Sequence, residues 1–459
     1  MLRNMNNLPR FKISLTALSA ALLFCTIYFF APGVLTYDSA SVLTYISDLK
    51  FKRLHAPAFQ YFWYMILPFS KSQLIPFFIN SVLYWYSILC FSLSLAPKNK
   101  IIATSFFIIG LLPNMIFMNH VINFDVITNH LLLAFFSTMA CHITYQKKFL
   151  LTFSLVFATL FMLARYNSLI SLVPVTLFWS YENNSSEKTT TLFKKFVILL
   201  IVMTALHISV TKLFFNKPQN YFKNITARYD LVGMSIDGNH SGITKDLPKD
   251  LQEELSRIYN ENGWFLGQPM LHKTFKSYDV VDEWKKSIIK SPITYLKVRV
   301  KTSYKMFSGN TFVLQQCPLF YWHHFSAGNI PNFLKEKFAE KQWSTSNLTK
   351  NKKSFNGFTK TYGEILISYF KRFPSSLWIA CLGMVEFIAL LYLAIIKKYF
   401  SQSTRIALFM TATALAWYAP LIVLVQIPMV RYVYPANSLV LASLPFMLRI
   451  LTSIRSSKV

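Results

Sequence analysis

The chain has 459 residues, of which 53% are apolar, 17% are aromatic and only 14% are charged. Soluble globular proteins carry about 25% charged residues, so this composition excludes a soluble enzyme with an ordinary surface. A formal net charge of +28 would point to nucleic acid in a soluble protein. In a membrane protein, basic residues gather in cytoplasmic loops and beside anionic lipid. We therefore predict an all-α polytopic membrane protein whose partners include membrane lipids and no nucleic acid.

Apolar stretches long enough to cross the roughly 30 Å hydrocarbon core of a bilayer recur along the chain. We predict ten membrane helices, at residues 14–31, 76–96, 101–118, 124–144, 149–164, 167–181, 196–215, 376–396, 406–425 and 436–452. The pair at 149–164 and 167–181 is short, and it forms either a hairpin or one kinked span. The distribution of basic residues favours the hairpin and places both termini in the cytoplasm.

Two predicted outer segments are too long to be turns. Residues 32–75 follow the first span, and residues 216–375 separate the seventh span from the eighth. The chain is thereby divided into an N-terminal membrane module (1–215), an extracytoplasmic region (216–375) and a C-terminal membrane module (376–459).

The extracytoplasmic region contains two amphipathic patterns with helical spacing, Leu251–Glu261 and Val280–Phe307. In the second, lysines and arginines alternate with aromatic residues, which is typical of helices that lie in a membrane interface. We predict a helix pair broken at Pro292 and lying on the membrane surface, with these aromatic residues among its lysines: Trp284, Tyr295, Tyr304 and Phe307. Residues 326–360 have little periodicity and are predicted to form a loop.

Few carboxylates lie outside the large loop, and Asp38 is one of them, directly after the first span and between Tyr37 and Ser39. A carboxylate in this position could act as an acid or base at the membrane surface. The alternative is an N-cap for a short helix at 39–49. Further along the same loop, His55 precedes a proline turn, where an imidazole can shuttle protons or bind phosphate, or serve structure alone.

Asp125 lies at the predicted outer start of the fourth span, where it would also complement the helix macrodipole. Arg165 and Arg431 are predicted to emerge on the same side of the membrane. Guanidinium groups bind phosphate through two hydrogen bonds and keep their charge, so arginines and carboxylates at one surface suit an anionic ligand. Each arginine is equally well explained as a snorkelling anchor.

These positions resemble the GT-C class of integral-membrane glycosyltransferases, in particular bacterial members that use polyprenyl-phosphate-linked sugars. The motifs that carry the resemblance are Pro32-Gly33 through Tyr37-Asp38-Ser39, His55-Ala56-Pro57, Phe124-Asp125-Val126, Arg165-Tyr166-Asn167, and Arg431-Tyr432 to Pro435. The first loop departs from the family pattern, because Asp38 has no adjacent acidic residue and the family's Trp-His-Pro-Pro stretch reads Leu54-His55-Ala56-Pro57.

The resemblance implies transfer of a sugar to a cell-surface glycan, lipid or protein at the periplasmic face of a bacterial inner membrane. It implies Asp38 as the base that activates the acceptor hydroxyl and Asp125 as a second acid for metal or substrate. It also implies arginines that hold the lipid phosphate. The substrate-binding residues are then Arg165, Arg431, His55, Tyr37 and Tyr432. A divalent cation, Mg or Mn, is the only cofactor it suggests.

Two other functional classes also fit the sequence. The chain also resembles the polysaccharide polymerases and ligases of surface glycan assembly, which have about ten to fourteen spans and a large outer loop. A transporter or flippase needs charged groups along a membrane path, for which Glu386 and His207 are the only deep candidates. The sequence contains no Gly-rich phosphate loop and no zinc-protease motif, which disfavours a nucleotide-driven pump or a zinc protease.

Overall fold

The computed structural model describes residues 8–31, 33–35, 39, 42, 57–66, 74–116, 119, 121–165, 168–183, 188–214, 221–238, 248–261, 280–308, 375–424 and 430–456. The N-terminal part contains α1 Leu8–Phe30, β1 Val34–Leu35, α2 Pro57–Ile66, α3 Leu74–Leu95, α4 Lys100–Gly110, α5 Pro113–Ile116, β2 Val121–Ile122, α6 Phe124–Tyr145, α7 Lys148–Ala164, α8 Ser168–Asn183 and α9 Thr189–Phe214. The remainder contains α10 Tyr221–Asp237, α11 Lys249–Glu261, α12 Val280–Lys290, α13 Pro292–Ser308, α14 Ser375–Leu391, α15 Gln402–Leu424 and α16 Val430–Ser456.

Each of the ten predicted membrane stretches contains a helix, and the protein is an all-α polytopic membrane protein. Within the described residues, seven helices are long and apolar enough to cross a membrane: α1, α3, α6, α9, α14 with its π-helical extension Tyr392–Ile396, α15 and α16. The stretch predicted at 101–118 is divided between α4 and α5. The division falls at Pro113, because the residue before a proline is disfavoured in the α conformation.

Helices α7 and α8 form the predicted hairpin and not one kinked span. Arg165 between them has an extended backbone, with φ −155° and ψ 142°. The indole Nε1 of Trp179, near the end of α8, donates to the carbonyl of Leu151, near the start of α7, at 3.2 Å. The two helices therefore run antiparallel, and the link that contains Arg165 lies at one end of the helix bundle.

Helix α6 is the centre of the membrane module. Its apolar window is entirely buried, and the helix packs against α3, α7 and α16. Helices α1, α9 and α14 are in contrast largely exposed along their apolar windows, which is the pattern of helices at a lipid boundary. The two ends of α6 therefore mark the two ends of the bundle.

Basic residues from distant segments meet at the C-terminal end of α6. The ammonium of Lys12 lies 4.4 Å from the ring centroid of Tyr145, the last residue of α6. Arg405 binds Glu182 through two hydrogen bonds, Nε to Oε1 at 2.6 Å and a terminal nitrogen to Oε2 at 3.3 Å. Gln402, three residues before Arg405, donates to the carbonyl of Ile143 in the last turn of α6 at 3.2 Å, so this ion pair lies at the same end as Lys12.

The helices of the predicted extracytoplasmic region build a small core of their own. Its buried residues come from α10, α11, α12 and α13: Ala227, Tyr229, Leu231, Val232, Met234, Leu255, Tyr259, Val280 and Val298. The predicted break before Pro292 is present, between α12 and α13. Trp284 and Tyr295 pack against this core, whereas their spacing predicted aromatic residues on the membrane surface. The predicted loop at 326–360 lies outside the described residues.

A buried ion pair lies within the small core. Asp230 on α10 and Arg299 on α13 are almost completely buried and pair through a guanidinium nitrogen and Oδ2. The indole of Trp284 donates to the same carboxylate at 2.9 Å. Burial raises the pKa of Asp230 to about 6, although Arg299 and the indole hydrogen bond both lower it.

The raised pKa of Asp230 predicts how the free energy of unfolding changes with pH. Its pKa in the folded protein lies above the ordinary value of 3.8, so the folded state binds the proton more tightly than the unfolded state. The free energy of unfolding should therefore fall by about 3 kcal/mol as the pH rises from about 4 to about 6. Asp230→Asn should remove this part of the pH dependence, whereas Asp282→Asn, at an exposed site on α12, should keep it. Thermal midpoints in detergent at several pH values measure the difference, and equal slopes in the wild type and Asp230→Asn would contradict the prediction.

Candidate functional site

The chain leaves α1 through a turn that only glycine adopts easily. Gly33 has φ +84°, and a Cβ at this position would lie 2.8 Å from the Phe77 side chain. Directly after it, Val34 and Leu35 pair in parallel with Val121 and Ile122. This two-residue pairing was not predicted, and it brings the beginning of the first outer loop to the N-terminal end of α6.

A second contact holds the same loop against the same strand. The Ser39 hydroxyl is buried and donates to the carbonyl of Ile122 at 2.6 Å. Leu35 and Ser39 therefore both lie against Ile122, and in the sequence they enclose Tyr37 and Asp38. Tyr37, Asp38 and His55 lie outside the described residues. Most of the short helix predicted at 39–49 also lies outside them.

Asp125 lies in the first turn of α6, immediately after this strand. The helix is capped by Asn123, whose side-chain oxygen accepts a hydrogen bond from the Asp125 backbone N–H at 2.8 Å. Because Asn123 performs the capping, the Asp125 carboxylate is available for another contact. It is fully buried and forms an ion pair with Arg165, from the link between α7 and α8. The structure thus brings together two predicted site residues 40 positions apart.

Two aromatic rings fix the position of the Arg165 guanidinium. Its Cζ lies 4.8 Å from the ring centroid of Phe124 and 5.0 Å from that of Tyr432, in the first turn of α16. The Tyr432 carbonyl accepts a hydrogen bond from the indole of Trp417 at 2.7 Å. The planar guanidinium suits such contacts, which combine cation–π attraction with packing.

Tyr432 also joins the two cores of the protein. It packs against the membrane core and against the small core of α10 to α13. Arg431 precedes it in the first turn of α16, but the Arg431 side chain lies outside the described residues. We call the group Asp125, Arg165 and Tyr432 the outer-end cluster. It lies at the end of α6 opposite to Lys12 and the Arg405–Glu182 pair.

The charge of the outer-end cluster limits its chemistry. Arg165 is 12% exposed and is paired with a buried carboxylate, so the two formal charges cancel. Asp125 therefore serves as the buried counter-ion of Arg165. Binding of an anion therefore requires a second cation, and Arg431 is adjacent in the sequence to Tyr432.

Polar residues that the sequence reasoning did not single out lie near the cluster. Asn129 follows Asp125 by one turn of α6 and is fully buried, and neither of its amide atoms bonds to another described residue. His130 is also fully buried, with its ring 5.3 Å from that of Tyr84 on α3. The spacing of four residues between Asp125 and Asn129, which puts them on one face of α6, was the available signal.

Nothing among the described residues forms a metal site. No three His, Cys, Asp or Glu side chains there come close enough to hold an ion. Asp125, the acid that the resemblance implies for metal or substrate, is paired with Arg165 instead of with further carboxylates. The described residues do not fit a divalent cation, and no step proposed below uses one.

Comparisons of the chain with protein-family models, curated proteins and solved structures found no match.

Proposed function

We propose that the chain is a membrane glycosyltransferase of the GT-C type. It moves a sugar from a polyprenyl-phosphate donor to a cell-surface glycan, lipid or protein acceptor, at the periplasmic face of a bacterial inner membrane. The observation that supports this proposal most is the outer-end cluster, with Asp125 and Arg165 held between Phe124 and Tyr432 beside the strand that anchors the first outer loop.

The proposed donor matches the chemistry of the cluster. A polyprenyl phosphate has its charged group at the membrane surface and its chain in the bilayer, so its binding site has to be cationic and close to the lipid. Arg165 contributes a guanidinium fixed in orientation, and Arg431 contributes the positive charge that remains after Asp125 has neutralised Arg165. Neutralising the phosphate makes it a better leaving group, so the protein needs a cationic clamp more than a strong acid.

Asp38 is the proposed base. The acceptor oxygen attacks the anomeric carbon, the bond from that carbon to the phosphate oxygen breaks, and Asp38 takes the hydroxyl proton. A single displacement of this kind inverts the anomeric configuration. Supporting this role, Leu35 and Ser39 on either side of Asp38 in the sequence are both anchored at Ile122, three residues before Asp125. Tyr37 and His55 are proposed to contact the substrate on the basis of the resemblance alone.

Asp125 receives a different role from Asp38. The Asp125 carboxylate is fully buried and is already paired with Arg165. We assign it to holding Arg165 in place, which makes Asp125 a positioning residue. Tyr432 acts in the same way from the opposite helix, because its ring covers the guanidinium.

A second function has one supporting observation. Glu386 on α14 is buried and hydrogen-bonded by the Ser443 hydroxyl of α16, and its Oε1 has no partner among the described residues. Buried acids inside membrane helices mark ion or proton pathways in transporters. The transferase proposal does not use Glu386, so Glu386→Gln separates the two functions.

The test is a comparison of surface glycans and polyprenyl-linked intermediates by mass spectrometry in a strain that lacks the protein. Loss of one sugar residue, with accumulation of its polyprenyl-phosphate donor, is expected because transfer has stopped. Complementation by wild type and by Glu386→Gln should both restore the residue. Altered chain length with unchanged composition would instead indicate a polymerase or ligase. Restoration by the wild type but not by Glu386→Gln would instead favour a transporter.

A further inference from the structure

A distinctive surface lies away from the outer-end cluster, on α12 and α13. One side of this helix pair is apolar and exposed. Its five residues are spaced three or four positions apart and are 59% to 82% exposed: Ile289, Ile293, Leu296, Val300 and Tyr304. We call them the apolar stripe. The opposite side of α13 is buried through Val298, Arg299 and Thr302, so the stripe points away from the small core.

Exposed lysines follow the apolar stripe along its length. Lys286, Lys290 and Lys297 are exposed and occupy the neighbouring ridge of the same two helices. Large aliphatic residues next to a row of lysines form the pattern of helices that lie in the headgroup region of anionic bilayers. Contiguous apolar surface exposed on a protein usually marks a site that contacts another protein or a membrane.

The helix that carries most of the stripe is attached to the outer end of the membrane helices. The Ser303 hydroxyl donates to the carbonyl of Ile422, near the end of α15, at 3.2 Å. The ring of Phe307 lies 5.4 Å from that of Tyr418, one turn deeper in α15. Helix α13 also packs against α14, whose Trp378, with 67% of its surface exposed, lies on the lipid-facing boundary.

We propose that the apolar stripe is a membrane-contact surface, which seats the small core of α10 to α13 on the outer leaflet of the bilayer that the spans cross. The aliphatic residues enter the acyl-chain boundary, and the three lysines meet anionic headgroups. The bilayer is favoured over a protein partner because α13 is bound to the ends of the spans, so the stripe continues the lipid-facing boundary of α14. The lysine ridge is also complementary in charge to anionic lipid. This inference is independent of the proposed enzymatic function.

Nitroxide scanning in vesicles of phosphatidylethanolamine and phosphatidylglycerol tests the proposal. The label is placed by Leu296→Cys or Val300→Cys in a chain in which Cys25, Cys317 and Cys381 are replaced by Ser. Asp282→Cys, at an exposed position of α12, is the aqueous reference, and Val385→Cys, on the lipid-facing side of α14, is the lipid reference. Collision rates are measured with oxygen, which concentrates in lipid, and with a water-soluble nickel chelate.

Labels at both stripe positions are expected to behave like the label at Val385, with frequent oxygen collisions and nickel collisions several-fold rarer than at Asp282. Nickel collisions as frequent as those at Asp282 would place the stripe in water and overturn the proposal. Few collisions with either reagent would show that protein covers the stripe, from a second copy or from another segment of the chain, and would also overturn it. Because both stripe positions are exposed, each variant is expected to fold as the wild type does. Elution from a sizing column checks this.

Discussion

Asp38→Asn is expected to abolish sugar transfer, with a loss on the order of 10² to 10⁴-fold, because the amide has the shape of the carboxylate but cannot accept the proton of the acceptor hydroxyl. The measurement is the glycan and lipid-intermediate profile of the deletion strain complemented by this variant at wild-type protein level. The missing sugar should stay missing, and the polyprenyl-phosphate donor should accumulate as it does in the deletion strain.

Asp48→Asn is the matched control for this experiment. Asp48 is an acid in the same outer loop that the inverting mechanism does not use. The Asp48→Asn variant should restore the sugar residue as the wild type does. A fully active Asp38→Asn would show that Asp38 is not the base, and the helix N-cap would then be the better explanation of this residue. An inactive Asp48→Asn would point to a covalent, retaining mechanism.

Separate replacement of the two charges in the outer-end cluster is expected to destabilise the protein strongly. Arg165→Met removes the counter-charge of the buried Asp125, and Asp125→Leu does the same to Arg165, at a cost of about 3–5 kcal/mol each. The double variant should recover most of this loss, because an apolar pair of similar volume has no buried charge. Transfer activity should be absent from all three variants, because each lacks the positioned guanidinium or the carboxylate that holds it.

Unfolding in detergent and the glycan profile measure the two effects separately. The Arg405–Glu182 pair at the opposite end of the bundle provides the control, because it too joins helices distant in the sequence and is largely shielded from solvent. Arg405→Met with Glu182→Leu should change stability while transfer remains. If the double variant of Arg165 and Asp125 is both stable and active, the outer-end cluster is a structural ion pair and the phosphate site lies elsewhere.

Features that depend on neighbouring residues in the chain were predictable. The apolar stretches are helices because span length and hydropathy are local properties, and the hairpin of α7 and α8 follows from the short link at Arg165. The break between α12 and α13 follows from Pro292, which fits the first turn of a helix but not its interior. The number of full-length spans was less predictable. The stretches around α4, α7 and α8 are helical, but they are shorter than the seven that the described residues show as long enough to cross.

Contacts between distant segments were decided by the tertiary structure. Sequence spacing indicated that α12 and α13 are amphipathic, but not that Trp284 and Tyr295 pack inward while the aliphatic stripe faces outward. The pairing of Val34–Leu35 with Val121–Ile122 joins segments more than 80 residues apart and has no local signal.

The outer-end cluster combines a part that the sequence predicted with a part that only the tertiary structure decided. The sequence by itself identified Asp125 and Arg165 as polar residues at helix ends, where ionised groups avoid the hydrocarbon core. Only the packing of α6, α7, α8 and α16 decided that they pair with each other under the ring of Tyr432. The physical reason is that hydropathy sets how deep a residue lies in the membrane, whereas the partner of a charge depends on which helices pack side by side.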